Sequence, residues 1–569
     1  MPRSIGGVKG TPRAFATLDL GAATTATALI GRVAGRWRLL GALAAPASAP
    51  ADVLLELLAE RIRLADPDLA AAAGLARGST QDIPHLVARS SVPGTVAVLA
   101  ASARALEPLT VAVARSGWRW RGASGDRLHA GAMTALLLDP TVSVAVVGAG
   151  DPPGGDERAG LPELVALAAA ATQRRPDLTV VLAGSAGNLR TRFGLPGRDG
   201  RLRGLRRGDQ ESAAGVARPA SNDVSAHPRV LLVPRDVEGG VEWAALTAAL
   251  AGLRRDPAES RQAMTAALGG LAGALDRRVE LLEIGLDGGL RASATPGPTA
   301  GSSHVRAVQG AGAALVPYEL GEARLEAVQA WSTQPFDRHR LRDRLLELRA
   351  APWTGVAGDG ARLRLAAARA ALSRLAALTP EIGDGPAPDL VVMAGGAFAP
   401  APAAAILLAL ADAVRRPAAI QVVFDHARLL GPLGTVSDPV ERDILVADLA
   451  GDLLLPLGSI VMPGGIRPGR RAGRVIVDSP AGTMTMGLDH GALEFTPVPP
   501  GEQATVLLES AEPVLLGSYG RRLSVDVAGG VGGLLIDLRD VPLRLPDRRE
   551  ARRELLARWE DSAWPGGTA

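Results

Sequence analysis

Cysteine is absent from this 569-residue chain. Disulfides, thiol nucleophiles and thiolate metal sites are excluded, and the compartment is left open. Lysine is nearly absent too: Lys9 is the single one, and arginine makes up the rest of the basic residues. A Gly-x-x-x-x-Gly-Lys-Ser/Thr phosphate loop cannot be built around it, and Schiff-base chemistry lacks its amine. Aromatic residues are only 3% of the chain, so alanine and leucine must fill most of the core. No apolar run approaches the roughly 20 residues a membrane helix needs. The longest, "APAAAILLALADAV", is interrupted by Asp412. The segment "MPRSIGGVKGTPRAF" has no apolar core of a signal peptide. A cytoplasmic protein with no membrane contact is expected. The formal charge is +3, and the sequence pI near 10.0 reflects the high pKa of arginine rather than a large excess of positive charge. Such a balanced, aromatic-poor surface argues against a nucleic-acid partner. The seven histidines are scattered, and no pair has zinc-ligand spacing.

What is present is an alternation of strands and helices. "FATLDL", "GTVAVLAAS", "VSVAVVGAG", "LTVVLAGSA" and "PRVLLVP" read as buried strands followed by turn residues. "ADVLLELLAERIRLA" and "LPELVALAAAATQRR" read as helices between them, which gives an α/β layer architecture. The pattern predicts a flexible tail at 1–13, a first half at 14–240 and a second half at 241–455. A Gly-, Arg- and Ser-rich stretch at 194–228 lacks periodicity and is expected to be an exposed loop. Beyond 455 short alternating strands such as "GRVIVDS" and "QATVLLES" predict a β-rich domain at 456–569, closed by the helix "DRREARRELLARWED".

Several familiar motifs fail. "GAGDPPGG" places Pro153 where a dinucleotide fingerprint needs its third glycine. "GSAG" at Gly184 lacks the spacing of a nucleophile elbow. Asp425 and His426, followed by Gly431, do not have the spacing of a cobalamin-binding Asp-x-His-x-x-Gly motif, so no cobalamin site is assigned.

The stretch "TLDLGAATTATALIG", residues 17–31, carries more. A strand ends in Asp19, Gly21 allows a tight turn, and Thr24, Thr25 and Thr27 follow. By itself this reads either as a β-hairpin or as a phosphate loop, with backbone N–H groups and hydroxyls for phosphate and Asp19 for an indirect Mg²⁺ contact. Two further glycine turns follow apolar strands. "LLEIGLDGGLRAS" holds Glu283, Gly285, Gly288 and Gly289, and "LVVMAGGAFAP" holds Gly395 and Gly396. Three such turns in this order resemble the actin, Hsp70 and sugar-kinase superfamily.

The chain also resembles the glutamate mutase L (MutL/GlmL-type) family over about residues 14–560. The resemblance is carried by "RSSVPGTVAVLAASARALEPLTVAVARSG", "VRAVQGAGAAL", "VVFDHARLLGPLG" and "GGLLIDLRDVPLRLPDRREARRELLARWED". It implies two actin-like (ribonuclease H-like) halves around a cleft, with an added β-rich domain. It implies an ATP and Mg²⁺ site formed by Asp19, Gly21, Thr24, Thr25, Glu283, Gly285, Gly288, Gly289, Gly395 and Gly396. It further implies an accessory or chaperone-like role beside a protein partner, a cobalamin-dependent mutase. The departures are specific. Ala22 and Ala23 stand where the family has Ser and Thr, and Ala26 where it has Lys. Glu283, Leu286, Gly288 and Gly289 depart from the family's second loop, and Gln309 and Ala311 replace Glu and Asp. Lost hydroxyls weaken phosphate binding, and lost carboxylates weaken Mg²⁺ placement and water activation. The turns survive better than the side chains that would run hydrolysis, which points to a pseudo-ATPase. An active ATPase or kinase-like enzyme, or a scaffold that needs no nucleotide, remain the alternatives.

Overall fold

The segment "AFATLDL" alternates small and large apolar residues and forms the first strand of a computed structural model. The structure describes residues 13–75, 80, 83–90, 92–125, 129–149, 155–195, 229–234, 241–254, 259–298, 302–467 and 473–564. Apart from Arg13, the expected tail lies outside the described residues. So does the expected loop at 194–228, except for Gly194 and Leu195. The chain divides into two compact units, one of residues 1–92 with 256–569 and one of residues 93–255.

The first unit begins with β1 (Ala14–Leu20), β2 (Thr24–Val33), β3 (Arg36–Pro46) and β4 (His85–Arg89) in the order β3-β2-β1-β4. The β1–β2 and β2–β3 pairs are antiparallel, and β1–β4 is parallel. Side chains alternate across the sheet. Ala14, Ala16 and Leu29 therefore pack on Leu55, Leu58 and Ile62 of the helix Ala51–Ala65. Phe15, Ala28 and Ile30 point the other way, onto Met264, Leu268 and Leu271 of the helix Ser260–Leu275.

The second unit contains β5 (Thr95–Ala100), β6 (Arg119–Ser124), β7 (Val142–Gly148), β8 (Thr179–Ala183) and β9 (Val230–Val233). They make a sheet of their own, all parallel, in the order β6-β5-β7-β8-β9. Every residue of β5 and β8 is buried, as expected for parallel strands covered on both faces. The helices Ala103–Arg115 and Trp243–Leu253 cover one face. The helices Ala130–Leu138 and Gly155–Arg174 cover the other. This is a doubly wound arrangement.

The chain of the first unit resumes with β10 (Val279–Ile284), β11 (Gly289–Pro296), β12 (Ser303–Gly310), β13 (Leu390–Ala394), β14 (Ala418–Asp425) and β15 (Leu454–Met462). Next come β16 (Gly473–Ser479), β17 (Gly482–Gly487), β18 (Leu493–Thr496), β19 (Gln503–Leu516), β20 (Ser518–Ala528) and β21 (Leu534–Asp537). The larger sheet runs β12-β11-β10-β13-β14-β15-β21-β18. Its first four strands repeat the order and directions of β3-β2-β1-β4: two antiparallel pairs, then a parallel neighbour. Two sheets that share this plan are two actin-like (ribonuclease H-like) halves. The helix Ser260–Leu275 packs between them, and residues of both sheets share one core with it. The C-terminal region is β-rich as expected. Its strands β15, β18 and β21 extend the larger sheet, whereas β17-β16-β19-β20 form a separate sheet. Val461, Val475, Val506 and Ile536 join the two in one apolar core. Among the described residues no helix is long and apolar enough to cross a membrane.

The C-terminal helix Arg549–Ala563 is tied down by buried charge. Arg369, on the helix Gly358–Ala377, pairs with Asp412 at 2.7 Å and with Glu560 of the C-terminal helix at 2.5 Å. Arg539 pairs with Asp412 and with Asp537, both at 2.7 Å, and Arg415 also reaches Asp537 at 2.7 Å. The Arg539 guanidinium also stacks over the Trp559 ring at 4.2 Å. Three arginines thus match three carboxylates out of water. Removing one member leaves a buried charge without its partner, which costs about 3–5 kcal/mol. Arg369→Met is expected to destabilise the protein by about that amount in urea unfolding. Adding Glu560→Gln is expected to recover part of the loss, because it removes the stranded charge.

Candidate functional site

Each of the two repeated sheets ends its first strand in the same way. After β1, residues 21–24 make a four-residue loop closed by the Gly21 N–H donating to Thr24 O at 3.0 Å. After β10, residues 285–288 make the equivalent loop, with the Gly285 N–H donating to Gly288 O at 2.9 Å. Glycine is required at a third position. Gly395, just after β13, has φ +95°, and a Cβ there would lie 2.3 Å from Ile284 O. The β13 turn therefore lies directly on the end of β10. Asp19, Gly21, Thr24, Glu283, Gly285, Gly395 and Gly396 all line one cavity. Thr25 is buried within β2, and Gly288 and Gly289 complete the second hairpin behind the wall. Gln309 and Ala311 are not among the lining residues.

The cavity contains more charge than the motif residues provide. Ser90, Ser260, Arg261, Asp287, Asp425 and Arg428 also line it. Asp19 is buried; Ser260 Oγ donates to its Oδ1 at 3.3 Å, and Arg428 Nη1 lies 3.8 Å from its Oδ2. Burial raises the Asp19 pKa above the ordinary carboxylate value, opposed by Arg428. Glu283 is gripped more firmly. Arg261 Nε donates to its Oε2 at 2.7 Å, and Nη2 donates to its Oε1 at 3.4 Å and to Gly288 O at 3.1 Å. Burial raises the Glu283 pKa as well, opposed by the same arginine. Asp287 accepts from Tyr318 Oη at 2.5 Å and from Arg349 Nη2 at 2.8 Å. Asp425 ends β14 and accepts from the Leu429 and Leu430 N–H groups at 2.9 and 3.2 Å. Burial nevertheless pushes its pKa up to about 7.

Arg261 and Arg428 hold positions that a phosphate loop would leave to its ligand. The Arg261 Nη2 atom would be 2.7 Å from a Cβ on Gly285. The Arg428 Nη2 atom would be 3.0 Å from a Cβ on Gly396, and its Nη1 3.7 Å from one on Gly21. With both guanidinium groups in place, the cavity volume is about 40 Å³. That enclosed space holds a few water molecules. Hydrated Mg²⁺ does not fit this arrangement: Arg428 already stands beside Asp19, and Glu283 is held by Arg261. Among the described residues no group of three His, Asp or Glu side chains is placed to hold a metal ion.

The sequence pattern does not mark Arg261, Ser260, Ser90 or Arg428, and it offers Asp425 only a cobalamin motif whose spacing fails. A usable signal was there, since "IQVVFD" ends an apolar strand in Asp just as "FATLDL" does.

No protein-family model matches the chain, and no curated protein matches it. Solved structures do match at low identity. A Ppx/GppA family member from Aquifex aeolicus is 9% identical, over 76% of this chain and 86% of that one, with a TM-score of 0.19. Nucleotide-free acetone carboxylase is 10% identical, over 75% and 70%, with a TM-score of 0.26. The PilM–PilN type IV pilus biogenesis complex gives 13% identity, over 76% and 98%, with a TM-score of 0.20. With TM-scores this low, the fold is assigned from the chain's own strand order.

The Asp425 shift has a consequence for stability. Its folded pKa lies above the value of about 3.9 in an unfolded chain. The folded state therefore holds the extra proton between those two values, and stability falls as pH rises from about 4 to about 7. Asp425→Asn is expected to flatten that fall by up to about 1.4 kcal/mol per pH unit. Urea unfolding of both proteins at several pH values between 5 and 8 measures the difference.

Proposed function

We propose that this chain is an accessory, protein-binding factor with an actin-like ATPase fold whose nucleotide site no longer turns over ATP. One observation carries the reading: the guanidinium groups of Arg261 and Arg428 lie against the glycine turns. Glu283 is committed to Arg261, and Asp19 faces Arg428. Neither carboxylate is then available to place hydrated Mg²⁺ or to orient an attacking water. Ala22 and Ala23 bring no hydroxyl to the first turn. What survives is the backbone frame. The resemblance to the glutamate mutase L family supports a protein partner, a cobalamin-dependent mutase, and a chaperone-like role beside it. This chain would contribute protein surface to that role, since it has no cobalamin motif of its own.

Calorimetric titration with ATP and with ADP, each with and without Mg²⁺, tests the reading. No binding heat is expected for Mg·ATP up to about 1 mM, and no phosphate release above the buffer rate. Measurable turnover that disappears in Asp19→Ala would identify an active ATPase instead.

A further inference from the structure

Arg428 makes fewer and longer contacts than Arg261, the other arginine of the cavity. The residue is nine-tenths buried. Its backbone sits in the left-handed region at φ +53°, a strained conformation for a residue with a side chain. That conformation and the glycines at 21 and 396 let the guanidinium lie between the two turns. A guanidinium presents five N–H donors in a fixed fork. Among the described residues, Arg428 makes one long hydrogen bond, 3.4 Å to Thr24 O, and one ion pair of 3.8 Å with Asp19. Its neighbour Arg261 has short contacts to Glu283 and Gly288. A hydrogen-bonding group left open out of water is costly, and native structures seldom keep one without a reason; the buried Thr24 Oγ1 beside Arg428 is such a group.

The groups around Arg428 are donors as well. Thr24 Oγ1 is buried with no partner among the described residues. The backbone N–H groups of Ala22, Ala23 and Gly396 have no acceptor among the described residues. Ser90 adds a hydroxyl to the wall. The carboxylates of the cavity have their own partners: Glu283 has Arg261, Asp287 has Tyr318 and Arg349, Asp425 has two backbone N–H groups, and Asp19 has Ser260 and Arg428. A guanidinium fork, free hydroxyls and open N–H groups converging on a space of about 40 Å³ match a small tetrahedral oxyanion.

We infer that this cavity binds free orthophosphate without a divalent metal, with Arg428 supplying the positive charge that Mg²⁺ would bring to a nucleotide site. The inference rests on the reading above that the site does not take Mg·ATP. The test is calorimetric titration of the full chain with sodium phosphate in EDTA. Binding with a Kd below about 1 mM is expected, unchanged when Mg²⁺ replaces EDTA. Arg428→Met, which keeps the length and loses the fork, should weaken it at least about tenfold. Thr24→Val should weaken it by a smaller factor, and the unfolding temperature of each variant establishes that it is folded. Silence with about 10 mM phosphate, a requirement for Mg²⁺, or unchanged binding by folded Arg428→Met would overturn the inference. Binding of ADP in EDTA as tight as that of phosphate would overturn the assignment to the free anion. Turnover of Mg·ATP bears on the previous reading, and phosphate binding in EDTA bears on this one, so the two fail separately.

Discussion

A carboxylate buried at the end of a strand needs a counter-charge or a proton, and this requirement organises the centre of the molecule. Asp19 and Glu283 hold equivalent places near the ends of β1 and β10. Both are withdrawn from water by the sheets and the helix that make the fold. An ATPase would meet this charge with a hydrated metal and a ligand that come and go. Here Arg261 and Arg428 meet it from within the chain. The site is therefore held together without a ligand, and its shape is set by arginine side chains. The same solution recurs near the C-terminal helix, where Arg369, Arg415 and Arg539 match Asp412, Asp537 and Glu560. A chain with almost no lysine relies on planar guanidinium groups, which suit buried and bidentate pairing better than an ammonium does.

How much of this was legible in the sequence depended on how local the cause was. Strand, glycine, strand is a local signal, so the hairpins at Gly21 and Gly285 and the turn at Gly395 were readable from their own residues. The buried strands and the β-rich C-terminal region followed from apolar periodicity for the same reason. The sheet to which a strand belongs is not local. "GTVAVLAAS" and "LTVVLAGSA" have the same apolar character whether they extend the first sheet or build another, and in the structure they build another. The arginines of the cavity were illegible for a similar reason. Arg428 is 404 residues away from the Thr24 carbonyl it touches, and nothing around it in the sequence marks a partner. An arginine in a loop reads as solvated until the fold places it between two glycine turns.

Three of the four carboxylates that line the cavity also show how environment separates residues of one type. Glu283 has a short charged partner. Asp19 has a distant one and a hydroxyl. Asp425 has two backbone N–H groups, and burial still carries its pKa to about 7. One cleft thus holds acids whose protons are governed by different neighbours, supplied by the start of the helix Ser260–Leu275 and by residues 428–430.

The second unit enters and leaves the first at adjacent points. Arg89, at the end of β4, and Glu259, just ahead of the helix Ser260–Leu275, are paired by a parallel bridge. Residues 93–255 therefore form a loop of chain between two paired residues of the first unit. The entropy of closing such a loop grows only slowly with its length, so the frame that carries it is nearly indifferent to what the excursion contains. Evolution can enlarge, trade or remove that unit without redrawing the two actin-like sheets, much as a plug-in part can be exchanged when its two terminals sit side by side.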